Sequence, residues 1–327
     1  MNSLSKVARK PIEYIIKELY GRTYDLIIHN TKCRAILDGI GSYIPYVYNP
    51  LREGSGETHS AEYCYSVWLK HLTLAMDNGM KRYPEFVVEL GPGASIGTGL
   101  AAVIAGATHY QALDVLDYTK KELNLKIFDE LLGLFEKRQS IPELIEFPSH
   151  ILTGDYLNRI LDASRIKEIR DSLIEGDEKF CSYSLSGEDA NIIPANSIDF
   201  VFSHAVMEHV GDIGLYYSNM SKWLKPGGIT SHQIDFECHN LAEKWNGHWT
   251  YSNVVWKLIQ GRRKDVLNRH THSDHVKSMQ SANLVVVNEI KFDGEAGIQR
   301  EELALRFKKM SDEDLKTKGS IILARKS

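Results

Sequence analysis

Apolar and polar positions along this chain follow two periods, and the changes between them mark out its elements. Before residue 80 the helical period holds. Ile12, Ile15, Ile16 and Leu19 recur at spacings of three and four, and after Ser60 so do Ala61, Cys64, Tyr65, Trp68, Leu72, Ala75 and Met76. At Val87 the pattern shortens to an apolar run, is broken by Gly91, Pro92 and Gly93, and resumes as an alanine-rich stretch from Gly97. This predicts a buried strand, a tight turn and a helix packed close to a sheet. Strand-like runs then recur at 110–115, 180–183, 196–203 and 229–235. Helical periods at 123–134, 157–173 and 213–224 separate them, the last stopped by Lys225, Pro226, Gly227 and Gly228. Leu284, Val285, Val286 and Val287 with Ile290 and Phe292, and later the run 320–324, read as two closing strands. Ser311 opens a capped turn or short helix between them.

Strands alternating with helices predict an α/β fold whose parallel sheet is covered on both faces. The stretch from 116 to 182 is about twice what an ordinary crossover needs, so it reads as an insertion with a turn at Pro142 and Pro148. A second insertion, polar and rich in histidine, runs from 236 to 282 and contains a helix at 252–260. The expected organisation is a helical N-terminal cap over 1–82 and a ligand-binding domain over 83–327, with insertions at 117–180 and 236–282. Lys6, Arg9 and Lys10 next to an apolar stripe raise a membrane-surface helix. Mixed charge at Glu13, Lys17 and Glu18 favours a plain helix with Pro11 in its first turn. Pro45 and Pro50 exclude a continuous helix through the aromatic stretch 43–50.

Composition narrows the function classes. The 327 residues, 43% hydrophobic and 25% charged, suit one large domain with additions or two modest ones. A net charge of −4 leaves no basic footprint, so no nucleic-acid partner is expected. No apolar run reaches the roughly 18 residues of a membrane span, and the first residues lack a signal-peptide core. A cytoplasmic protein with no membrane span is expected. Cys33, Cys64, Cys181 and Cys238 never form a CxxC pair and are expected as free thiols.

The glycine turn is where chemistry enters. Gly91 and Gly93 let the backbone approach a ligand closely, and amides at the helix start offer donors. Dinucleotide enzymes share such a turn. Asp114, at the tip of the second strand, is placed to accept both ribose hydroxyls of a nucleoside. A dehydrogenase would use the turn and this acid, but would leave Asp189, Glu208 and His209 unexplained.

The ordered set made by Glu89 with the glycine turn, Asp114, Asp189 with Ala190, the run 199–210 and the Leu224 to Gly228 stop resembles the class I S-adenosylmethionine (SAM)-dependent methyltransferases, in particular their small-molecule branch. The resemblance spans roughly 86–235. It implies a Rossmann-like fold with a seven-stranded, mostly parallel sheet and an antiparallel closing strand, and SAM as cofactor. By this resemblance Glu89, Gly91, Gly93 and Ser95 surround the amino-acid end of SAM. Asp114 holds the ribose, Asp189 and the Ala190 backbone read the adenine, and Ser203 joins the cofactor set. A carboxylate beside a backbone N–H suits adenine, which offers an amine donor and a ring acceptor. The spacing Gly-x-Gly-x-x-x-Gly departs from many members, so Gly97 is expected to serve helix packing.

The acceptor lies beyond these motifs. A hydroxyl acceptor calls for a base, and strand ends on the carboxyl side favour His204, His232 and Asp235. His239, Trp245, His248 and Trp249 combine rings with polar groups as a substrate pocket would. Similar sequences in cell-surface polysaccharide pathways point to a sugar or glycan-precursor hydroxyl, hence O-methylation of a small molecule. N-methylation of a small amine and a catalytically silent SAM-fold binding protein stay open. His232, Asp235 and His239 fit no firm metal template, so no metal is assigned. A homodimer is compatible with the sequence, and Tyr63 and Tyr65 are candidates to lie over the ligand.

Overall fold

The computed structural model describes residues 4–44, 47, 57–142, 146–185, 188–264 and 266–327, with side chains from Glu13 onward. Most of the aromatic stretch 43–50 and the start of the 186–191 segment therefore lie outside the described residues. The described residues divide into two compact units. One takes those within Met1–Gly54, Asp235–His272 and Lys291–Gly319, the other those within Ser55–Ile234, Ser273–Ile290 and Ser320–Ser327. Of the helical region before the glycine turn, residues up to 54 belong to the first unit and those from 55 onward to the second.

The second unit is built on the sheet. Its strands are β1 (Phe86–Leu90), β2 (His109–Leu113), β3 (Cys181–Ser184), β4 (Ile198–His204), β5 (Leu224–Asp235), β6 (Leu284–Asp293) and β7 (Thr317–Lys326). They lie in the order β3-β2-β1-β4-β5-β7-β6, with one antiparallel closing strand among seven. That strand is β7: Phe236 N, at the end of β5, donates to Lys318 O at the start of β7, and Gly294 N, just past β6, donates to Lys316 O. The register brings the carboxyl ends of the strands level. Leu90 pairs with Leu113 on one side and Ser203 on the other, and Ser203 pairs with His232. The fifth strand begins earlier than its sequence pattern predicts. Leu224 already pairs with Ile198, and the Pro226–Gly228 stretch is a bulge within the strand, with Gly227 at φ +80 and a register shift before Phe200 meets Ile229.

The helices fall largely where the periods predict. They are α1 (Leu4–Ile27), α2 (Thr31–Gly41), α3 (Ala61–Asp77), α4 (Gly97–Ile104), α5 (Lys121–Glu136), α6 (Gly154–Ile160), α7 (Ala163–Glu175), α8 (Ile213–Trp223), α9 (Asn253–Gln260), α10 (His272–Ser281) and α11 (Asp312–Lys316). Ser60, Asp212, Ser252 and Ser311 cap α3, α8, α9 and α11 by accepting from backbone amides. The second helical period of the first insertion splits in two, because Asp162 accepts from Ser164 N and Arg165 N and starts α7 afresh. Its Arg165 binds the insertion to the sheet layer. The guanidinium donates to Ile160 O (2.8 Å) at the end of α6 and to Val103 O (2.6 Å) in α4. α10 has no strong apolar stripe and is not apparent from the sequence pattern; its His275 Nδ1 meets Tyr217 Oη at 2.8 Å.

In the first unit α2 packs on α9 around Ala35, Tyr251, Trp256, Ile259, Val266 and Leu267. The approach is so close that a Cβ on Gly39 would stand 1.9 Å from Leu258 O. Among the described residues no helix is long and apolar enough to cross a membrane.

Candidate functional site

The carboxyl ends of β1, β2 and β4 form the site. Gly91 and Gly93 adopt φ +66 and +74, conformations that suit glycine, and a Cβ on Gly91 would stand 2.5 Å from Val206 Cγ2. Glu89 is buried at the end of β1. Burial pushes its carboxyl up to about 8, against hydrogen bonds from Tyr110 and Thr98 that lower it. Tyr110 Oη donates to Glu89 Oε2 at 2.5 Å. The tyrosine reaches it because residue 99 is glycine: a Cβ there would be 2.1 Å from Tyr110 Cζ. Tyr110 and Gly99 were not singled out in the sequence. Their signal is a glycine inside an apolar helix facing an aromatic on the next strand.

Asp114 follows β2 and is almost fully buried. Its Oδ1 accepts from Val115 N at 2.6 Å, and burial raises its carboxyl while the amides of Val115, Leu116 and Gly93 lower it. The 188–191 segment is fastened to α8 by Asn219 Nδ2 to Glu188 O (3.1 Å), Trp223 Nε1 to Ala190 O (3.0 Å) and Lys222 Nζ to Asn191 Oδ1 (2.9 Å). Asp189 is exposed there, and its Oδ1 takes Asn191 N in a local turn. Tyr216 on α8 feels the charges of Glu188 and Asp114, after burial, and is pushed up to about 12. Tyr63 on α3 is likewise raised to about 12 by burial, with Glu89 and Glu208 adding to it.

Other expected residues sit differently. Ser95 is buried; its Oγ donates to Thr58 O and accepts from Gly97 N, so the hydroxyl caps the helix start from inside the protein. Gly97 is a packing residue, since a Cβ would press on Cys64 Sγ at 2.5 Å. Ser203 is fully buried, with Oγ on His232 Nδ1 at 2.7 Å. His232 also contacts Thr230 Oγ1 through Nε2, so both its ring nitrogens are committed to the protein interior. Tyr65 is buried, and its hydroxyl donates to Gln139 O at 2.9 Å.

His204, at the end of β4, is half-buried, and burial with the Lys70 charge holds it down at about 3. Its Nδ1 lies 3.3 Å from His71 Nε2, whose Nδ1 lies 2.8 Å from Ser231 Oγ. His71 falls on the same helical stripe as Cys64, Trp68 and Ala75 and reads there as an ordinary core position. The next residue, Ala205, takes φ +55, a strained turn directly after the strand.

In the first unit Asp235 Oδ2 meets His239 Nε2 at 3.0 Å; burial raises this carboxyl, but the His239 bond and the Glu237 amide hold it below its usual value. Trp249 and His248 are interior, the ring of His248 4.6 Å from that of Trp249, and burial keeps His248 at about 3. Trp245 is half-buried and edges onto Trp249. The stretch 245–251 is therefore chiefly the core of its own unit. Buried Arg269 completes it, stacked over Trp256 and Phe307 and donating to Tyr251 O at 2.8 Å. Among the described residues no group of three His, Cys, Asp or Glu side chains converges to hold a metal.

Residues 143–231 match a family model described as a methyltransferase domain. No curated protein matches the chain. Solved structures similar to it include a protein from Galdieria sulphuraria assigned as a sarcosine dimethylglycine methyltransferase, at 15% identity, 80% of this chain, 85% of that one and a TM-score of 0.43. Geranyl diphosphate C-methyltransferase from Streptomyces coelicolor, with Mg2+, geranyl diphosphate and S-adenosyl-L-homocysteine, matches at 12% identity over 79% of both chains with a TM-score of 0.42. A SAM-dependent methyltransferase from Methanosarcina mazei matches at 10% identity over 77% of this chain and 96% of that one, with a TM-score of 0.42. The family match falls across β3 to β5 of a sheet in this strand order, behind a glycine turn flanked by Glu89 and Asp114, so this part of the chain is similar to a methyltransferase domain.

Proposed function

We propose that this chain transfers a methyl group from SAM to an oxygen of a small-molecule acceptor, of the sugar or glycan-precursor type. The observation that carries the cofactor reading is the pair of buried acids, Glu89 and Asp114, at adjacent strand ends around two left-handed glycines. A buried carboxyl raised to about 8 becomes ionised most readily beside a cation, and the amino-acid end of SAM supplies one. Asp114, steadied by three amides, suits a ribose, and the segment held by α8 suits the base. SAM supplies a methyl group already bonded to a sulfonium leaving group, so the protein's work is to align the acceptor and exclude water.

Of the three groups expected to serve as base, His232 is closed off by Ser203 and Thr230, and Asp235 is engaged by His239. His204 keeps Nε2 without a hydrogen-bond partner among the described residues, and it stands at the strand end where a ligand is met. It is the group assigned to touch the acceptor. Isothermal calorimetry with SAM and S-adenosylhomocysteine tests the cofactor reading. Binding of both is expected, weakened about tenfold or more in Asp114→Asn; heat from neither ligand would refute it.

A further inference from the structure

The hydrogen-bond polarity of His204 follows from what stands behind it. Ser231 Oγ is fully buried, and His71 is its only hydrogen-bond partner among the described residues. A buried hydroxyl left without an acceptor costs about 1–3 kcal/mol, so the Ser231 O–H donates to His71 Nδ1. His71 is buried and, chiefly through desolvation, stays neutral. With Nδ1 accepting, its single proton sits on Nε2 and is donated to His204 Nδ1. His204 is neutral as well, for the same reason with the Lys70 charge added, so its own proton is on Nε2, the nitrogen with no hydrogen-bond partner among the described residues. Tyr63 packs edge-on against its ring, centroids 5.8 Å apart at 77°.

A parallel chain alongside runs in the same sense but is closed. Ser203 donates to His232 Nδ1, His232 Nε2 donates to Thr230, and Thr230 Oγ1 ends on Met220 Sδ at 3.6 Å. Among the described residues, the chain through His71 ends on a donor without a protein acceptor.

We propose that Ser231 and His71 are positioning residues that fix His204 as a hydrogen-bond donor, so that the acceptor presents an oxygen already ionised, a carboxylate or a phenolate, in place of a neutral alcohol. The Lys70 ammonium, donating to Gln233 Oε1 at 3.1 Å, adds positive potential on the same side. In the reaction the acceptor oxygen's lone pair forms the O–CH3 bond as the S–CH3 bond breaks. That bond's electron pair stays on sulfur as a neutral thioether, and no proton has to leave the acceptor. For a sugar-type acceptor this selects the carboxylate of a sugar acid over its alcohols. The inference rests on His204 meeting the acceptor, but its first test does not.

That test is long-range 1H–15N correlation of 15N-histidine-labelled protein, with His204 assigned from His204→Gln. The wild-type ring is expected to carry its proton on Nε2, and Ser231→Ala to bring in the Nδ1-protonated form. His71→Gln, whose amide still donates from the same place, keeps the wild-type form even where His71→Leu fails to fold. A wild-type proton on Nδ1, or a Ser231→Ala spectrum identical to wild type, overturns the proposal whatever becomes of methyl transfer. The second arm uses methyl-labelled SAM with glucuronate and 4-hydroxybenzoate against glucose and inositol. Label in an acid and loss of about 10- to 150-fold in kcat/KM for His204→Phe, the range for a hydrogen bond to a charged group, are expected. Label in a neutral polyol, or in none of the acids while calorimetry shows SAM bound, counts against it. Absence of SAM binding refutes the cofactor reading instead and leaves the tautomer result standing.

Discussion

Replacing Glu89 by glutamine isolates the cost of an ionisable group in the interior. The fold moves this carboxyl from its ordinary 4.5 to about 8 because burial withdraws water from the charged form, more than the Tyr110 and Thr98 bonds restore. Between those two values the folded protein holds a proton that the unfolded chain has released. Raising pH through the window therefore favours unfolding, by about 1.4 kcal/mol per pH unit and about 5 kcal/mol across the whole of it. Stability from this group is complete below about pH 4.5 and gone above about pH 8. Glutamine keeps an oxygen for the Tyr110 hydroxyl but cannot ionise, so Glu89→Gln should remove that slope. Urea unfolding at pH 5, 6, 7 and 8 reads it as the difference between the two proteins' profiles. SAM affinity moves the other way, because a cation beside residue 89 needs the ionised form: calorimetric Kd for wild type should tighten as pH rises toward 8, and stay flat in Glu89→Gln. Parallel stability profiles for the two proteins would show that Glu89 ionises normally and would refute the reasoning.

Two further substitutions probe packing. Gly99→Ala places a methyl 2.1 Å from Tyr110 Cζ, between two buried elements, and should cost about 1–3 kcal/mol by overpacking while weakening SAM binding through Glu89; an unchanged Tm would count against that contact. Arg269→Ala removes a buried guanidinium stacked on two rings and bonded to Tyr251 O and Asn253 Oδ1, and should lower stability by about 2–4 kcal/mol in thermal melts. SAM affinity measured on the folded Arg269→Ala protein should be unaltered, since Glu89 and Asp114 belong to the other unit.

The strands were legible because a parallel sheet covered on both faces needs near-continuous apolar runs, and the seven runs found in the sequence are the seven strands. The acids at the strand tips were legible for a related reason: Glu89 and Asp114 stand where an apolar run would otherwise continue into a glycine or a loop. What could not be read is direction of side chains within the core. Histidines at strand ends look equivalent in a sequence, yet Ser203 and Thr230 enclose His232 while the pairing with His71 leaves one nitrogen of His204 without a partner among the described residues. His71 itself was hidden by periodicity, which marks a position as buried without saying that a polar group there is bonded. The tryptophan-bearing stretch at 245–251 was expected to line a pocket, because aromatic and polar groups side by side serve equally for a pocket and for a small core closed by Arg269. Contact between distant segments, as between α2 and α9, leaves no local trace in the sequence.

The single guanidinium of Arg165 has a bearing on what can be removed from this chain. By occupying carbonyl oxygens at the ends of both α4 and α6, it does for the glycine-turn helix what a C-terminal cap does elsewhere, from a residue more than half a hundred positions downstream in sequence. Shortening the 117–180 segment to an ordinary crossover would expose those oxygens in an apolar layer and loosen the helix that follows the glycine turn. The segment is thus less an ornament on the sheet-bearing unit than a strut of it, and a compact version of this protein would have to supply a new end for α4 before it could dispense with α6 and α7.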